Sequence, residues 1–425
     1  MYLIYSFFLL AALCFYFPVY LVKLKILKNE PLHFSDRIGS NLPLKKREQK
    51  SIWIHAVSVG EVMSLQNLVR RIKETHPNWT VYFSTLTNSG FEVAQKKLSF
   101  VDELFFVPFD FRVIVKRFFK TFQPNLFVLT ESEFWPNLIR EAQTHTQGVL
   151  LVNGRMSSHS HKRYKWVKIF MKKILFGIDR FLVQTQEDEQ RLEEIGGCSS
   201  RVQVVGNLKA EIKLAEMTKQ DVISLKQNLN IPPSFKAVVA GSTRNGEERI
   251  LLSAFAKAMR KRNDIKLIIA PRHIERSGEV VDCCDELGLK AVKKTCLSPE
   301  VQWEVLVLDT IGELALIYAV ADCVFIGGSL VPWGGQNLLE PAFYSKPVFF
   351  GPYMDNFAFF AGEFLKAGAA EIVRNEKDLR RLFCFTEDKK MEDMGKKAKQ
   401  TLNSLQGATQ KTLRAIEDMM SEKLE

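Results

Sequence analysis

Residues 51–61, SIWIHAVSVGE, contain the repeating unit of the fold: an apolar run suited to a buried strand passes straight into a Ser-x-x-Glu helix start. The amphipathic pattern that follows predicts a helix to about His76. Working outward, the unit recurs. WTVYFST (79–85) leads into a helix to about Lys97, and ELFFVPF (103–109), NLFVLT (125–130), GVLLVNG (148–154), RFLVQT (180–185) and RVQVVG (201–206) are further short apolar runs. Such alternation implies a parallel sheet with helices on both faces. A polar stretch, 213–235, ends in Pro232 and Pro233 and interrupts the pattern, which restarts with KAVVAGS (236–242), IKLIIAP (265–271), WEVLVLDT (303–310), CVFIGGS (323–329) and KPVFFG (346–351). The fold class is therefore α/β, with two Rossmann-like doubly wound domains over 51–211 and 212–425. In such sheets ligands bind beyond the carboxyl ends of the strands, so a cleft between the two domains is the expected site.

Upstream, YLIYSFFLLAALCFYFPVYLV (2–22) carries no charged side chain and is followed by Lys23, Lys25 and Lys28. The run predicts an N-terminal transmembrane helix over 1–22, uncleaved, with the positive flank and the catalytic domains on the cytoplasmic side of the inner membrane. A cleaved signal peptide fits less well, because a basic n-region and a small-residue cleavage site are both missing. Residues 23–50 are basic and broken by Pro31, Gly39 and Pro43, as suits a tether. The 425-residue length calls for two domains, and a composition 46% hydrophobic and 25% charged excludes extensive disorder. Lysine and arginine total 59 against 48 acidic residues, a net charge of +11 that favours an anionic partner. Seven cysteines without a CxxC pair suit a reducing compartment and read as buried small hydrophobes.

Four strand ends carry a polar residue three positions before a glutamate: Ser58 and Glu61, Asn245 and Glu248, Thr310 and Glu313, Asn337 and Glu340. Each pair can be a capping box that only satisfies backbone amides. Strand ends and helix N-termini also collect anions and catalytic carboxylates. Glu61, at the mouth of the first strand beside Gly60, could take a proton from an attacking hydroxyl. Glu131 and Glu133 end another strand, either as two solvated surface carboxylates or, because Phe134 and Trp135 imply partial burial close by, as acids with a raised pKa or fixed hydrogen bonds. FIGGSLVPWGGQNLLEPA (325–342) passes through paired glycines whose amides, with a helix beginning near Asn337, could hold phosphate. It is neither GxGxxG nor a P-loop, which disfavours a dehydrogenase or a P-loop kinase. Ser242, Thr243, Arg244, Arg272 and Arg276 follow neighbouring strands, and arginine suits phosphate. His145, His159 and His161 lack zinc-site spacing, and there is no GxSxG elbow, so neither a metal nor a cofactor is expected. HKRYKWVKIFMKK (161–173) reads as a basic amphipathic helix suited to anionic lipid or, equally, to a solvated face over a core.

With DRIG, HAVSVGE, ESEFWPN, VNGRMSSHS, VGNLKAEI, GSTRNGEE, APRHIER, DTIGEL, GGSLVPWGGQNLLEPA and GPYMDNF in one order, the chain resembles the Kdo (3-deoxy-D-manno-octulosonic acid) transferases of lipopolysaccharide assembly. The resemblance covers nearly the whole length. It implies a GT-B architecture and metal-independent, inverting transfer of one or more Kdo residues from CMP-Kdo to a lipid A precursor. It further implies Glu61 as general base, with Glu131 and Lys209 supporting the transition state. Ser242, Pro271, Arg272, His273, Gly312, Glu313, Leu314, Asn337, Leu338, Leu339 and Glu340 would line the CMP site. Anionic lipids of the inner membrane are the further partner, and nucleic acid is not one. Gln336 stands where the family usually carries histidine, which removes a proton-carrying group from that position. A membrane-associated GT-B enzyme using another nucleotide sugar and lipid acceptor is the alternative enzyme. A basic tethered module that binds nucleic acid is the non-enzymatic one.

Overall fold

The computed structural model describes residues 2–22, 33–40, 42, 49–384 and 388–421. Most of the tether expected over 23–50 lies outside the described residues; within it, Phe34–Arg37 forms one helical turn. The chain divides into two compact units, one of Met1–Glu211 with Gln406–Glu425 and the other of Ile212–Leu405.

The first unit is built on seven parallel strands, β1 (Ser51–Ala56), β2 (Thr80–Thr85), β3 (Glu103–Phe106), β4 (Leu126–Thr130), β5 (Gly148–Gly154), β6 (Arg180–Val183) and β7 (Val202–Val204), in the order β3-β2-β1-β4-β5-β6-β7. β1, β4 and β5 are buried along their whole lengths because helices cover both faces, which is why they read as unbroken apolar runs. One face packs an aromatic cluster around the fully buried Trp53, with Phe105, Phe119 and Phe127 within 5.3 Å of it. The other packs Leu65, Leu68 and Ile72 of helix Val59–Thr75 against Leu413, Ile416 and Met420. Those last three belong to the C-terminal helix Ala408–Ser421, which lies within the range 212–425 expected to form the second domain. The helix returns to the first unit because its apolar face completes that core, and Glu211 Oε1 accepts the amides of Gly407 (2.7 Å) and Thr409 (3.3 Å) where it enters.

The second unit repeats the plan with β8 (Lys236–Thr243), β9 (Ile265–Pro271), β10 (Ala291–Lys293), β11 (Val305–Val307), β12 (Cys323–Ile326), β13 (Val348–Phe350) and β14 (Ala370–Ile372), in the order β10-β11-β9-β8-β12-β13-β14. β10 and β14, three-residue edge strands, carry too little periodicity to stand out in the sequence. Strand order reverses between β1 and β4 in the first sheet and between β8 and β12 in the second. Such switch points open a crevice at the carboxyl ends of the strands.

The expected transmembrane helix is corrected. Tyr2–Val22 is helical, but no helix among the described residues is long and apolar enough to cross a membrane. The first turns of this helix engage polar groups of the first unit instead. Asn137 Nδ2 donates to Ser6 Oγ at 3.3 Å, the Arg140 guanidinium lies 4.6 Å from the Tyr2 ring, and the Tyr5 phenol bonds the buried carboxyl of Asp110. The basic stretch 161–173 is also not one helix: it breaks at Val167 between Ser158–Trp166, which buries nothing, and Lys168–Leu175, which buries Met171, Ile174 and Leu175. Nor are the cysteines uniformly buried, since Cys14, Cys198 and Cys296 are exposed while Cys284 and Cys323 are in the core.

Candidate active site

At the first switch point β1 ends in Ala56, and Ser58 caps the helix that follows by accepting the Glu61 amide. Glu61 Oε1 accepts the Ser58 hydroxyl and Oε2 accepts the Val57 amide, both at 2.9 Å. The capping interaction is thus present, and it fixes the carboxylate at a buried position 6% exposed. Burial pushes the Glu61 pKa up to about 7, with repulsion from Glu131 and Glu133 adding to the rise and the two hydrogen bonds holding it down. A carboxyl with that proton affinity is matched to general base work near neutral pH.

Glu131 follows β4 with a left-handed backbone (φ 56°), stabilised by its amide donating to Val152 O at 3.0 Å. Its Oε1 lies 3.8 Å from Lys209 Nζ, so a cation faces this carboxylate. Lys209 itself is placed by a buried amide chain that the sequence did not reveal. Asn207 Oδ1 accepts the Lys209 amide, Asn207 Nδ2 donates to Gln184 Oε1, Gln184 Nε2 donates to Asn153 O, and Asn153 Oδ1 accepts the Leu208 amide. Glu133 differs from a solvated surface acid: Trp135 Nε1 donates to it at 2.8 Å and burial raises its pKa. A pocket lined by Glu131, Phe134, Gly154, Arg155 and Met156 opens beside this group.

The second switch point carries the other set. Ser242 takes a left-handed conformation (φ 56°) at an irregularity between β8 and β9, and Arg272 donates its amide to Thr243 O. Pro271 is buried at the end of β9, whereas Arg272 and His273 are exposed. Gly327, after β12, has no room for a side chain: a Cβ there would lie 2.5 Å from Ser242 O and Thr243 Cα. The expected Asn245–Glu248 cap does not form. The buried Glu247 takes over instead, accepting the amides of Arg244, Gly328 and Leu330, and burial pushes its pKa up to about 7. Glu248 pairs with Arg276 at 2.8 Å. The pair Glu247 and Glu248 contained both acids, but the three-residue spacing selects the wrong one: it places the first helical residue at Gly246, whereas the helix begins two residues later, at Glu248.

Gly312 is exposed with φ 91°, and Glu313, just before Leu314, bonds Thr310 Oγ1 and Lys294 Nζ, which hold its pKa below the usual range. Glu313 also lines a cavity of about 310 Å³ with Leu225, Leu229, Leu297, Leu316 and Ile317. Asn337 Nδ2 donates to Glu340 Oε1 at 3.0 Å and Asn337 Oδ1 accepts the Leu339 amide, while Leu338 and Leu339 are buried. The helix here is short, Leu339–Phe343, so its dipole contributes little field at this edge. Among the described residues no group of three or more His, Cys, Asp or Glu side chains could hold a metal ion.

Two parallel doubly wound units, each with candidate side chains at its own switch point, define the GT-B fold. The crystal structure of a glycosyltransferase from Rickettsia africae shares the fold, with a TM-score of 0.58 over 89% of this chain and all of that one, at 12% identity. The family model for 3-deoxy-D-manno-octulosonic-acid transferase (kdotransferase) matches residues 33–212. The 3-deoxy-D-manno-octulosonic acid transferase of Rickettsia felis is 32% identical over 342 residues, covering 80% of this chain and 72% of that one. A bifunctional glycosyltransferase/methyltransferase of Fusobacterium nucleatum is 33% identical over 389 residues, 90% of this chain but only 58% of the relative's own length. The chain belongs to the Kdo transferase family, whose reaction is the transfer of Kdo.

Proposed function

We propose that the protein moves Kdo from CMP-Kdo to a hydroxyl of a lipid A precursor in lipopolysaccharide assembly, by direct displacement with inversion at the anomeric carbon. Glu61 removes the acceptor proton, the freed oxygen forms the new glycosidic bond, and CMP departs with the electron pair of the broken one. Lys209 and Glu131 set the field around the base. Ser242, Arg272, His273, Gly312–Leu314 and Asn337–Glu340 hold the nucleotide, and the arginine takes up charge on the leaving phosphate. The carrying observation is the buried Glu61 carboxylate, fixed by Ser58 and Val57 at a switch point with a pKa near 7.

For the lipid partner, support comes from the two short helices of 158–175. Trp166 is 92% exposed and Ile169 83% exposed, next to Lys165, Lys168 and Lys172. Apolar tips among cations suit the headgroup region of anionic lipid.

The test is incubation of detergent-solubilised protein with CMP-Kdo and a tetraacyl lipid A precursor, followed by mass spectrometry of the lipid. Kdo-bearing product is expected from the natural sequence and none from Glu61→Gln, which should still bind CMP. Near-normal turnover by that variant removes Glu61 from the base role.

A further inference from the structure

We propose that Arg244 binds the carboxylate of the donor's sugar acid, a task separate from holding the nucleotide; the proposal rests on the donor being CMP-Kdo. At the second switch point the turns after β8 and β9 bring Arg244, Arg272 and Arg276 within range of one another. Arg276 is neutralised by Glu248 at 2.8 Å and Glu279 at 3.0 Å. Among the described residues neither Arg244 nor Arg272 has a carboxylate within salt-bridge distance. Glu247, the acid nearest Arg244, directs its oxygens to backbone amides. Burial and the neighbouring arginines hold the Arg244 pKa below its usual value, the condition of a cation that a bound anion would stabilise.

The Arg244 side chain is already fixed. Its Nη1 donates to His273 Nε2 at 2.7 Å, and its guanidinium lies 4.9 Å from the Trp333 ring centre. Its Nε is buried without a protein acceptor, an arrangement that is costly for a donor unless something else completes it. Gly328 keeps the adjacent space open: a Cβ there would lie 3.4 Å from Arg244 Cγ and 3.3 Å from Gln336 Nε2. Gln336 can donate a hydrogen bond but carries no charge, so the cation at this spot is Arg244. A CMP-activated sugar acid brings two anionic groups, the phosphodiester and the carboxylate, to an edge with two arginines that, among the described residues, have no carboxylate within salt-bridge distance. With Arg272 on the nucleotide, the planar fork of Arg244 is left for the carboxylate, which it can engage through two parallel hydrogen bonds.

Arg244→Gln and Arg244→Lys, made in the full chain, test this by two measurements: the Kd of CMP by titration, and KM and kcat for CMP-Kdo in the transfer assay. CMP affinity is expected to stay within about twofold, while KM for CMP-Kdo rises about tenfold or more in Arg244→Gln and less in Arg244→Lys. Equal weakening of CMP and CMP-Kdo would put Arg244 on the phosphate or on the fold and overturn the proposal, as would an unchanged KM. A natural-sequence protein that binds CMP but produces no Kdo-bearing lipid would instead overturn the donor assignment itself.

Discussion

Glu61 shows how one side chain can close a helix start and gain proton affinity together. Its hydrogen bonds to Ser58 and Val57 close the start of a helix, and the same burial that makes those bonds worthwhile raises its proton affinity. The sign of the pH dependence follows. A base must be unprotonated to act, and the Glu61 pKa is raised to about 7, so kcat/KM should climb with pH up to about 7 and level off above it. Lys209 lies 3.8 Å from Glu131, one of the two acids that push the Glu61 pKa upward. Lys209→Ala leaves Glu131 uncompensated, so the acid limb should move to higher pH while the plateau falls by about 10²-fold. A pH-rate profile that keeps its midpoint in Lys209→Ala would disconnect the lysine from the base. The identity of Glu61 as a candidate was legible in SVGE. Local spacing also marked Glu131 and Glu133 at a strand end, but it could not show that Lys209, far along the chain, comes within 3.8 Å of Glu131.

At the level of elements, the loops at strand ends carry the candidate site residues. The glycine pair after β12 reads from the chain as backbone whose exposed amides could hold phosphate, but the structure gives Gly327 a stricter task. It lets β12 turn against the backbone of Ser242 and Thr243. Gly327→Ala should cost about 1–3 kcal/mol by overpacking, lower the melting temperature and weaken CMP binding; CMP titration giving the natural affinity would show that the contact relaxes freely. On the other unit, Trp166 and Ile169 stand exposed on two short helices and contribute nothing to the core. Trp166→Ser with Ile169→Ser should therefore leave the melting temperature unchanged and lower partition onto vesicles rich in anionic lipid by about tenfold. Sedimentation with such vesicles that does not change would remove this face as the lipid contact. The periodicity of 161–173 could not show the break at Val167, since both halves keep helical spacing.

Across the whole molecule, the chain is not two successive halves. Its last helix, Ala408–Ser421, buries Leu413, Ile416 and Met420 in the core of the first unit. Removing one such side chain typically costs about 2–5 kcal/mol, against a whole-domain stability of about 5–15 kcal/mol. A chain ended after Leu405 should therefore lose the folded first unit and all transfer, while the second unit keeps its CMP affinity. Circular dichroism melts and CMP titration read the two outcomes separately, and a truncated protein that still transfers Kdo would refute the account.

The sequence by itself determined the strand and helix alternation, the two parallel sheets and the strand-end motifs, because buried parallel strands and helix starts each leave a local pattern of side chains. Tertiary structure decided the rest. It selected Glu247 over Glu248 as the acid that ties the glycine loop, assembled the amide chain that places Lys209, and seated the first turns of the N-terminal helix on polar groups of its own unit. Each of those outcomes depends on residues distant in the chain meeting in a buried place, where hydrogen bonds and charges count for far more than they do in water.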